Sequence, residues 1–195
     1  MRTLLVFLVL VCSPSSTAVG AETSRAPEQV PPDRQALVML RVLAYDRNLR
    51  ERTSGTLTIA VVNGQSSDGA QKQAAMVAAL GKVAQESTVS GLQVKAVAVD
   101  YSGPGTLEAR LSAAGASAIY VCPGLGKEAL QAIAEASRRN SVLAFSENEA
   151  EVGLGVGIAL VRRGARVSII IDRSAVAEAG ADLAPELLQL SEVRD

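Results

Sequence analysis

The chain has 195 residues, of which 48% are hydrophobic and 20% charged, the composition of one ordinary globular domain. Its formal net charge is −1, without a cluster of lysine and arginine, which excludes the usual charge pattern of a nucleic-acid-binding protein. It has no histidine and only 3% aromatic residues, which excludes histidine-based catalysis and metal ligation and leaves little for base stacking.

Residues 1–21 have the pattern of a signal peptide, so the chain is predicted to be exported and periplasmic. Arg2 supplies the positive start, residues 4–11 are apolar, and residues 19–21 resemble a cleavage site. The apolar run is far shorter than the roughly 20 residues that cross a bilayer. Cys12 follows a valine where a lipoprotein has a small residue, so lipidation is not expected.

Residues 22–33 are polar and rich in proline, and they are predicted to form a flexible lead-in to a single domain over residues 34–195. An amphipathic helix comes first in that domain, with Asp33 as its predicted N-cap. Apolar residues recur at helical spacing along it, at Leu37, Leu40, Leu43 and Ala44.

From residue 56 onward, apolar strand-like segments alternate with helical ones, which predicts a parallel sheet covered by helices. The predicted strands are residues 56–63, 93–100, 117–122 and 142–146, and the connections between them carry helices at residues 70–86, 105–115 and 123–140. Residues 157–163 and 166–172 are two further strands, separated by Gly164-Ala165 as in a tight antiparallel hairpin. Short helices are expected around residues 174–180 and 183–190. The predicted fold class is α/β, a mostly parallel sheet with helices on both faces and an antiparallel C-terminal hairpin.

A GxGxG motif at Gly153, Gly155 and Gly157 raises the question of a dinucleotide cofactor. Such a loop lies between a strand and a helix, so that the phosphates meet the helix N-terminus. Here the motif leads into a strand and a hairpin. We therefore predict no cofactor, and expect these glycines to bend the chain into the hairpin or to allow close backbone packing.

The segment "CPGLGKEALQ" is better placed for a ligand, because it follows a predicted strand and opens a helix. It lacks the Walker spacing, so a plain strand–helix connection is the alternative. If a small anion binds, the candidate residues are Asn63, Gly64, Gly124, Gly126 and Lys127, at the carboxyl ends of two strands.

Two other motifs carry little predicted chemistry. The acidic run "SENEAE" at residues 146–151 could bind a hard cation such as calcium, but its spacing matches no EF-hand, and a solvated loop is the favoured interpretation. Cys122 becomes the only cysteine once residues 1–21 are removed, so no intramolecular disulfide is expected. Without a histidine to ionise it, Cys122 is expected to be a buried, inert thiol. No catalytic residue and no metal site are predicted.

The segment "YDRNLRER", at the end of the first helix, supports two interpretations. Its arginines could stabilise the helix C-terminus. Alternatively, tyrosine and arginine are typical of protein-interaction hot spots. On the second interpretation the partner-contact residues are Leu37, Leu40, Tyr45 and Arg47.

The closing segments resemble the YfiR-like family of exported bacterial proteins. The resemblance rests on "SVLAFSE", "GLGVGIALVRRGARVSIIID" and "RSAVAEAGADLAPELLQL", and extends over about residues 35–192. Within the last segment Ala179-Gly180 and Leu187-Leu188 match the family pattern, and Asp172 replaces its usual asparagine. In the protein after which the family is named, the first helix ends in aromatic residues and the cysteines are paired. This chain lacks both features.

The resemblance implies a periplasmic α/β domain that is dimeric where characterised. It also implies action on a membrane partner, since the namesake represses a membrane-bound diguanylate cyclase and so lowers cyclic di-GMP signalling. We therefore expect a non-enzymatic regulator that contacts a membrane signalling protein and forms a homodimer, without nucleic acid as a partner. The alternative is a periplasmic module that binds a small anionic ligand.

Overall fold

The computed structural model describes residues 30–195, so the predicted signal peptide and most of the predicted lead-in lie outside it. The helices are α1 (Pro32–Ala44), α2 (Ser67–Glu86), α3 (Pro104–Ala114), α4 (Lys127–Asn140), α5 (Glu149–Val152), α6 (Arg173–Glu178) and α7 (Pro185–Gln189). The strands are β1 (Thr56–Asn63), β2 (Gln93–Asp100), β3 (Ala116–Val121), β4 (Leu143–Ser146), β5 (Ile158–Arg163), β6 (Arg166–Asp172) and β7 (Glu192–Arg194).

These strands form one seven-stranded sheet in the order β2-β1-β3-β4-β5-β6-β7. All neighbouring pairs are parallel except β5 and β6, which form the antiparallel hairpin around Gly164-Ala165. The predicted α/β class, with a mostly parallel sheet and a hairpin near the C-terminus, is confirmed.

The sheet has a hydrophobic core on each face, because strand side chains alternate between the faces. Leu57, Ile59 and Val61 of β1 pack in the core that includes α1 and α2. Ala60 and Val62 point the other way, into the core that includes α3 and α4. A strand buried on both faces reads as a continuous apolar run, which is why β1 could be located from sequence.

The helix ends follow local side-chain chemistry, with one correction. Ser66 caps α2 by accepting a hydrogen bond from the Gly69 amide at 3.1 Å. Asp172 caps α6 in the same way, accepting from the Ala175 amide at 2.9 Å. The prediction that Asp33 caps α1 is wrong: the helix begins at Pro32, whose fixed φ suits a first helical position, and Asp33 lies in the first turn.

The GxGxG glycines lie before β5, as predicted, and two of them allow close packing. Gly155 has a φ of +95°, and a Cβ there would lie 2.5 Å from the Cβ of Ala134 in α4. At Gly157 a Cβ would meet Leu143 at 3.0 Å. The hairpin itself turns at Gly164, so these glycines serve packing and not the turn.

Two elements were not predicted. The short helix α5 occupies the expected acidic loop, where Asn148 caps it by accepting from the Ala150 amide at 3.1 Å. Strand β7 extends the sheet beyond the hairpin through three pairs with β6. Both are too short to leave a periodic pattern in the sequence.

We predict that Gly155→Ala lowers the free energy of unfolding by about 2 kcal/mol or more, because the added methyl group collides with Ala134 at a φ that alanine disfavours. The matched control is Gly81→Ala inside α2, where a Cβ would meet no heavy atom within 4 Å. That change should stabilise the protein by about 0.5–1 kcal/mol. Urea denaturation measures both, and equal effects of the same sign would contradict the packing role of Gly155.

Candidate functional site

The candidate site lies at the carboxyl edge of the sheet, where β1, β3 and β4 end. β1 has β2 on one side and β3 on the other, so the connection after β1 runs toward one edge of the sheet and the connection after β2 runs back toward the other edge. The point where this direction switches lies between β1 and β3. Ligands of parallel α/β sheets bind outside the strand ends at such a switch point.

The structure brings two of the five predicted ligand-loop residues, Gly64 and Gly124, together, but with little space between their loops. A Cβ on Gly64 would lie 3.5 Å from Leu125, and one on Gly124 would lie 3.5 Å from the Ser66 hydroxyl. Leu125 is only 8% exposed and fills the gap between the two loops.

The remaining predicted residues differ in accessibility. Asn63 is 3% exposed, and its side-chain oxygen has no hydrogen-bond partner in the described part of the chain. Gly126 is the N-cap of α4, without a side-chain cap. Lys127 is exposed and lines a separate depression with Gln131 and Arg138. The predicted five residues therefore do not surround one cavity.

A buried ion pair that sequence reasoning missed lies beside these loops. The Lys72 ammonium, on α2, is 2.6 Å from a carboxylate oxygen of Glu147, which directly follows β4. Their side chains are only 10% and 8% exposed. The Tyr120 hydroxyl donates to the same Glu147 oxygen, Oε2, at 3.3 Å. The other oxygen, Oε1, is buried without a hydrogen-bond partner among residues 30–195.

The three glutamates of the acidic run point in different directions. Glu149 is partly exposed and pairs with Arg163 and Arg194, and the Arg194 hydrogen bond lowers the pKa of its carboxyl group. Glu151 is buried, accepts hydrogen bonds from Ser146 and Asn148, and has a pKa raised by burial.

The expectation of a solvated acidic loop is therefore corrected. Two of the three glutamates are nearly buried, and each has its own partners. The residues that the structure describes contain no group of three acidic, cysteine or histidine side chains placed to hold a metal ion. The calcium alternative has no support from this geometry.

Cys122 lies at the end of β3 and is fully buried. Burial, with a smaller contribution from the Glu147 charge, raises the pKa of its thiol to about 12. A thiol with that pKa stays protonated at neutral pH and is a poor nucleophile.

An open groove of about 450 Å³ lies above the Lys72–Glu147 pair. Lys72 and its neighbours Asp68 and Gln71 line one side, on α2. Pro123, from the loop after β3, and the segment 30–32 before and at the start of α1 line the rest. The nearly buried Lys72 therefore forms part of the wall of an open groove at this edge.

The predicted partner-contact residues lie elsewhere, on the outside of α1 and in the turn after it. Leu37 is 39% exposed and Tyr45 42% exposed, whereas Leu40 is 4% exposed and belongs to the core. Leu40 is therefore removed from the surface set, because the buried stripe of α1 is rotated toward Met39 and Leu43.

Arg47 is exposed and forms an ion pair with Asp182 at 2.7 Å, and this hydrogen bond raises the pKa of the guanidinium. Next to it, the buried carboxylate of Asp46 pairs with Arg52 and accepts a hydrogen bond from the Asp182 amide at 2.9 Å. The turn that carries Tyr45 and Arg47 is thus fixed to the loop before α7. Fixing the turn presents both side chains in a defined arrangement.

A scan against protein families matches the YfiR/HmsC-like family over residues 33–192. The chain belongs to this family. The resemblance inferred from the closing segments is thereby confirmed, over nearly the whole described domain. No curated protein matches the chain in a sequence search.

Solved structures with the same fold have low sequence identity to this family member. An ABC domain from Streptococcus pneumonia, in complex with L-Trp, aligns with a TM-score of 0.60, 14% identity and coverage of 84% of this chain. A conserved domain protein from Vibrio cholerae gives 0.56, 13% and 84%. A ligand-free, open substrate binding protein from Clostridium difficile gives 0.56, 12% and 76%. The chain spans 60%, 60% and 57% of the lengths of these three proteins, and the likeness shows the fold alone.

We predict that Lys72→Met lowers the free energy of unfolding by about 3 kcal/mol, since it leaves the buried Glu147 carboxylate without its cation. The double variant Lys72→Met/Glu147→Gln should recover part of that loss, because no uncompensated charge remains. Arg173→Met is the control: it removes a solvent-exposed pair with Asp195 and should leave stability nearly unchanged. Equal urea midpoints for Lys72→Met and the control would show that the buried pair is not formed.

We also predict that Cys122 in the native protein resists iodoacetamide at pH 8. Raising the thiol pKa from 9.0 to about 12 lowers the thiolate population roughly 1000-fold, and burial restricts access further. Mass spectrometry of native and urea-unfolded protein gives the two rates. Similar rates would contradict the inert thiol and reopen an enzymatic role.

Proposed function

We propose that this protein is an exported, non-enzymatic regulator that acts by protein–protein contact on a membrane signalling protein, with a diguanylate cyclase as the first partner to test. The observation that carries the proposal is membership of the YfiR/HmsC-like family over residues 33–192. The chemistry of the chain agrees with it, since the sequence has no histidine and the thiol of Cys122 stays protonated at neutral pH.

The proposed contact surface consists of Leu37, Tyr45 and Arg47. The first two are large and partly apolar side chains that remain about 40% exposed in a domain that buries most others. Arg47 adds an exposed guanidinium held in place by Asp182. Tyrosine and arginine contribute disproportionately to binding energy when an interface covers them.

Export is part of the proposal and rests on the pattern of residues 1–21 together with the family. No helix within residues 30–195 is long and apolar enough to cross a membrane. We further propose a homodimer as the exported form, on the strength of the family alone. Light scattering of the purified exported chain measures its mass directly.

A cross-linked pull-down from the source cell envelope tests the proposed contact with a membrane signalling protein. The tagged wild-type chain should capture a membrane protein with a cyclase, kinase or receptor domain. Leu37→Arg should reduce that capture at least tenfold, since a charge would have to be buried in an apolar contact. Gln131→Arg is the control, because it adds the same charge to an exposed position of α4, on the opposite face of the sheet.

Recovery of the tagged chain alone, or equal losses in both variants, would contradict the proposed surface. Circular dichroism of each variant confirms that the fold is retained. Because Leu37 is exposed, the substitution itself should not unfold the domain.

A second candidate function is the binding of a small molecule. The observation that favours it is the groove at the carboxyl edge, with the nearly buried Lys72 in its wall. Two of the proteins that share the fold are described as an L-Trp complex and a substrate binding protein. The two functions are compatible, because a ligand can shift a regulator between conformations.

A further inference from the structure

The groove at the carboxyl edge contains an acidic side chain, Asp68, that forms no ion pair with the lysine one helical turn away. Asp68 and Lys72 are four residues apart on α2 and line the same groove, a spacing at which opposite charges usually pair. Here the Lys72 ammonium is turned inward to Glu147 at 2.6 Å. Within residues 30–195, Asp68 is left without an ion pair although it is exposed to the groove.

The charges around the groove argue against the simple anion expected from sequence. Lys72 is already neutralised by Glu147, and Asp68, in the first turn of α2, adds a negative charge that forms no ion pair within the described residues. A second anion there would be repelled by Asp68, whereas an ammonium group would complete its pairing. The Lys72 ammonium has three donors and uses one on Glu147, so it can still donate to an uncharged oxygen.

Apart from Gln71, the remaining wall of the groove is apolar. Val30, Pro31, Pro32 and Pro123 contribute rigid hydrocarbon surface, and Ala75 continues it along α2. An occupant must therefore combine an ammonium, an oxygen acceptor close to it, and an aliphatic body. The volume of about 450 Å³ is within the range of small-molecule sites.

We propose that this groove binds an α-ammonium carbonyl group with an aliphatic side chain, its ammonium on Asp68 and its carbonyl oxygen on Lys72. The inference rests on the second candidate function and names its ligand class. Two sources share that chemistry: a free aliphatic amino acid and the N-terminus of a peptide. The aliphatic side chain lies against the prolines.

Calorimetric titration of the exported chain with three probes of one carbon skeleton tests the class. The probes are leucinamide, leucine and 4-methylpentanoate, of which the last has no ammonium group. Leucinamide and leucine should bind in about the micromolar to millimolar range expected for ligands of this size, and 4-methylpentanoate at least tenfold more weakly. Tighter binding of leucinamide assigns the groove to peptide N-termini, and tighter binding of leucine assigns it to the free amino acid.

Asp68→Asn should weaken leucinamide about tenfold, because it removes the charge while keeping the shape of the side chain. Glu86→Gln, an exposed carboxylate at the far end of α2, is the matched control and should change nothing. Equal binding of 4-methylpentanoate, or an unaltered affinity in Asp68→Asn, would overturn the ligand class while leaving small-molecule binding standing. Absence of heat with all three probes at millimolar concentration would overturn both, and neither result bears on the protein-contact proposal.

Discussion

The nearly buried ion pair between Lys72 and Glu147 is the constraint on which the carboxyl edge depends. It joins α2, which covers one face of the sheet, to the loop that follows β4, and neither charge could remain at that depth alone. The Glu147 charge also acts on its surroundings: after burial, it is the next contribution that raises the pKa of Tyr120 and Cys122. The ion pair thus keeps the centre of the site neutral and leaves Asp68 without an ion pair within residues 30–195.

The two proposed surfaces are physically connected through the start of α1. Pro32 begins the helix that carries Leu37 on its outside, and it also lines the groove. A molecule held in the groove would contact the first turn of that helix. Binding there and partner contact on the helix would then favour or disfavour each other by the same free energy, as linkage requires. This arrangement suits a regulator that responds to a small molecule.

Much of the fold could be predicted from the sequence because its central strands β1, β3 and β4 are buried on both faces. Segments such as β1 are continuous apolar runs, and helix ends such as Gly115, with a φ of 60°, have a local signal. The position of Leu40 could not be settled by spacing alone, since Leu37 and Leu40 lie only about 60° apart around α1, yet Leu37 is exposed and Leu40 is buried. α5 and β7 are too short to be periodic.

The candidate site was the least predictable part, for a reason that concerns distance along the chain. Lys72 lies in an alanine-rich helix and Glu147 in an acidic run, and neither segment signals the other. The loops with the recognisable pattern, around Gly64 and Gly124, are closed by Leu125. The usable groove opens beside them, where only the tertiary structure brings the charges together. The family, by contrast, could be recognised from local segments.

Nitrogen-15 NMR of the lysine ammonium groups tests the central contact most directly. The chain has four lysines, and Lys82, Lys95 and Lys127 are exposed, so their ammonium protons should exchange too fast to be observed. We expect one protected ammonium signal at neutral pH, assigned to Lys72 and lost in Glu147→Gln. A spectrum without any protected ammonium signal, or a signal that persists in Glu147→Gln, would contradict the buried pair and the arrangement of the site built on it.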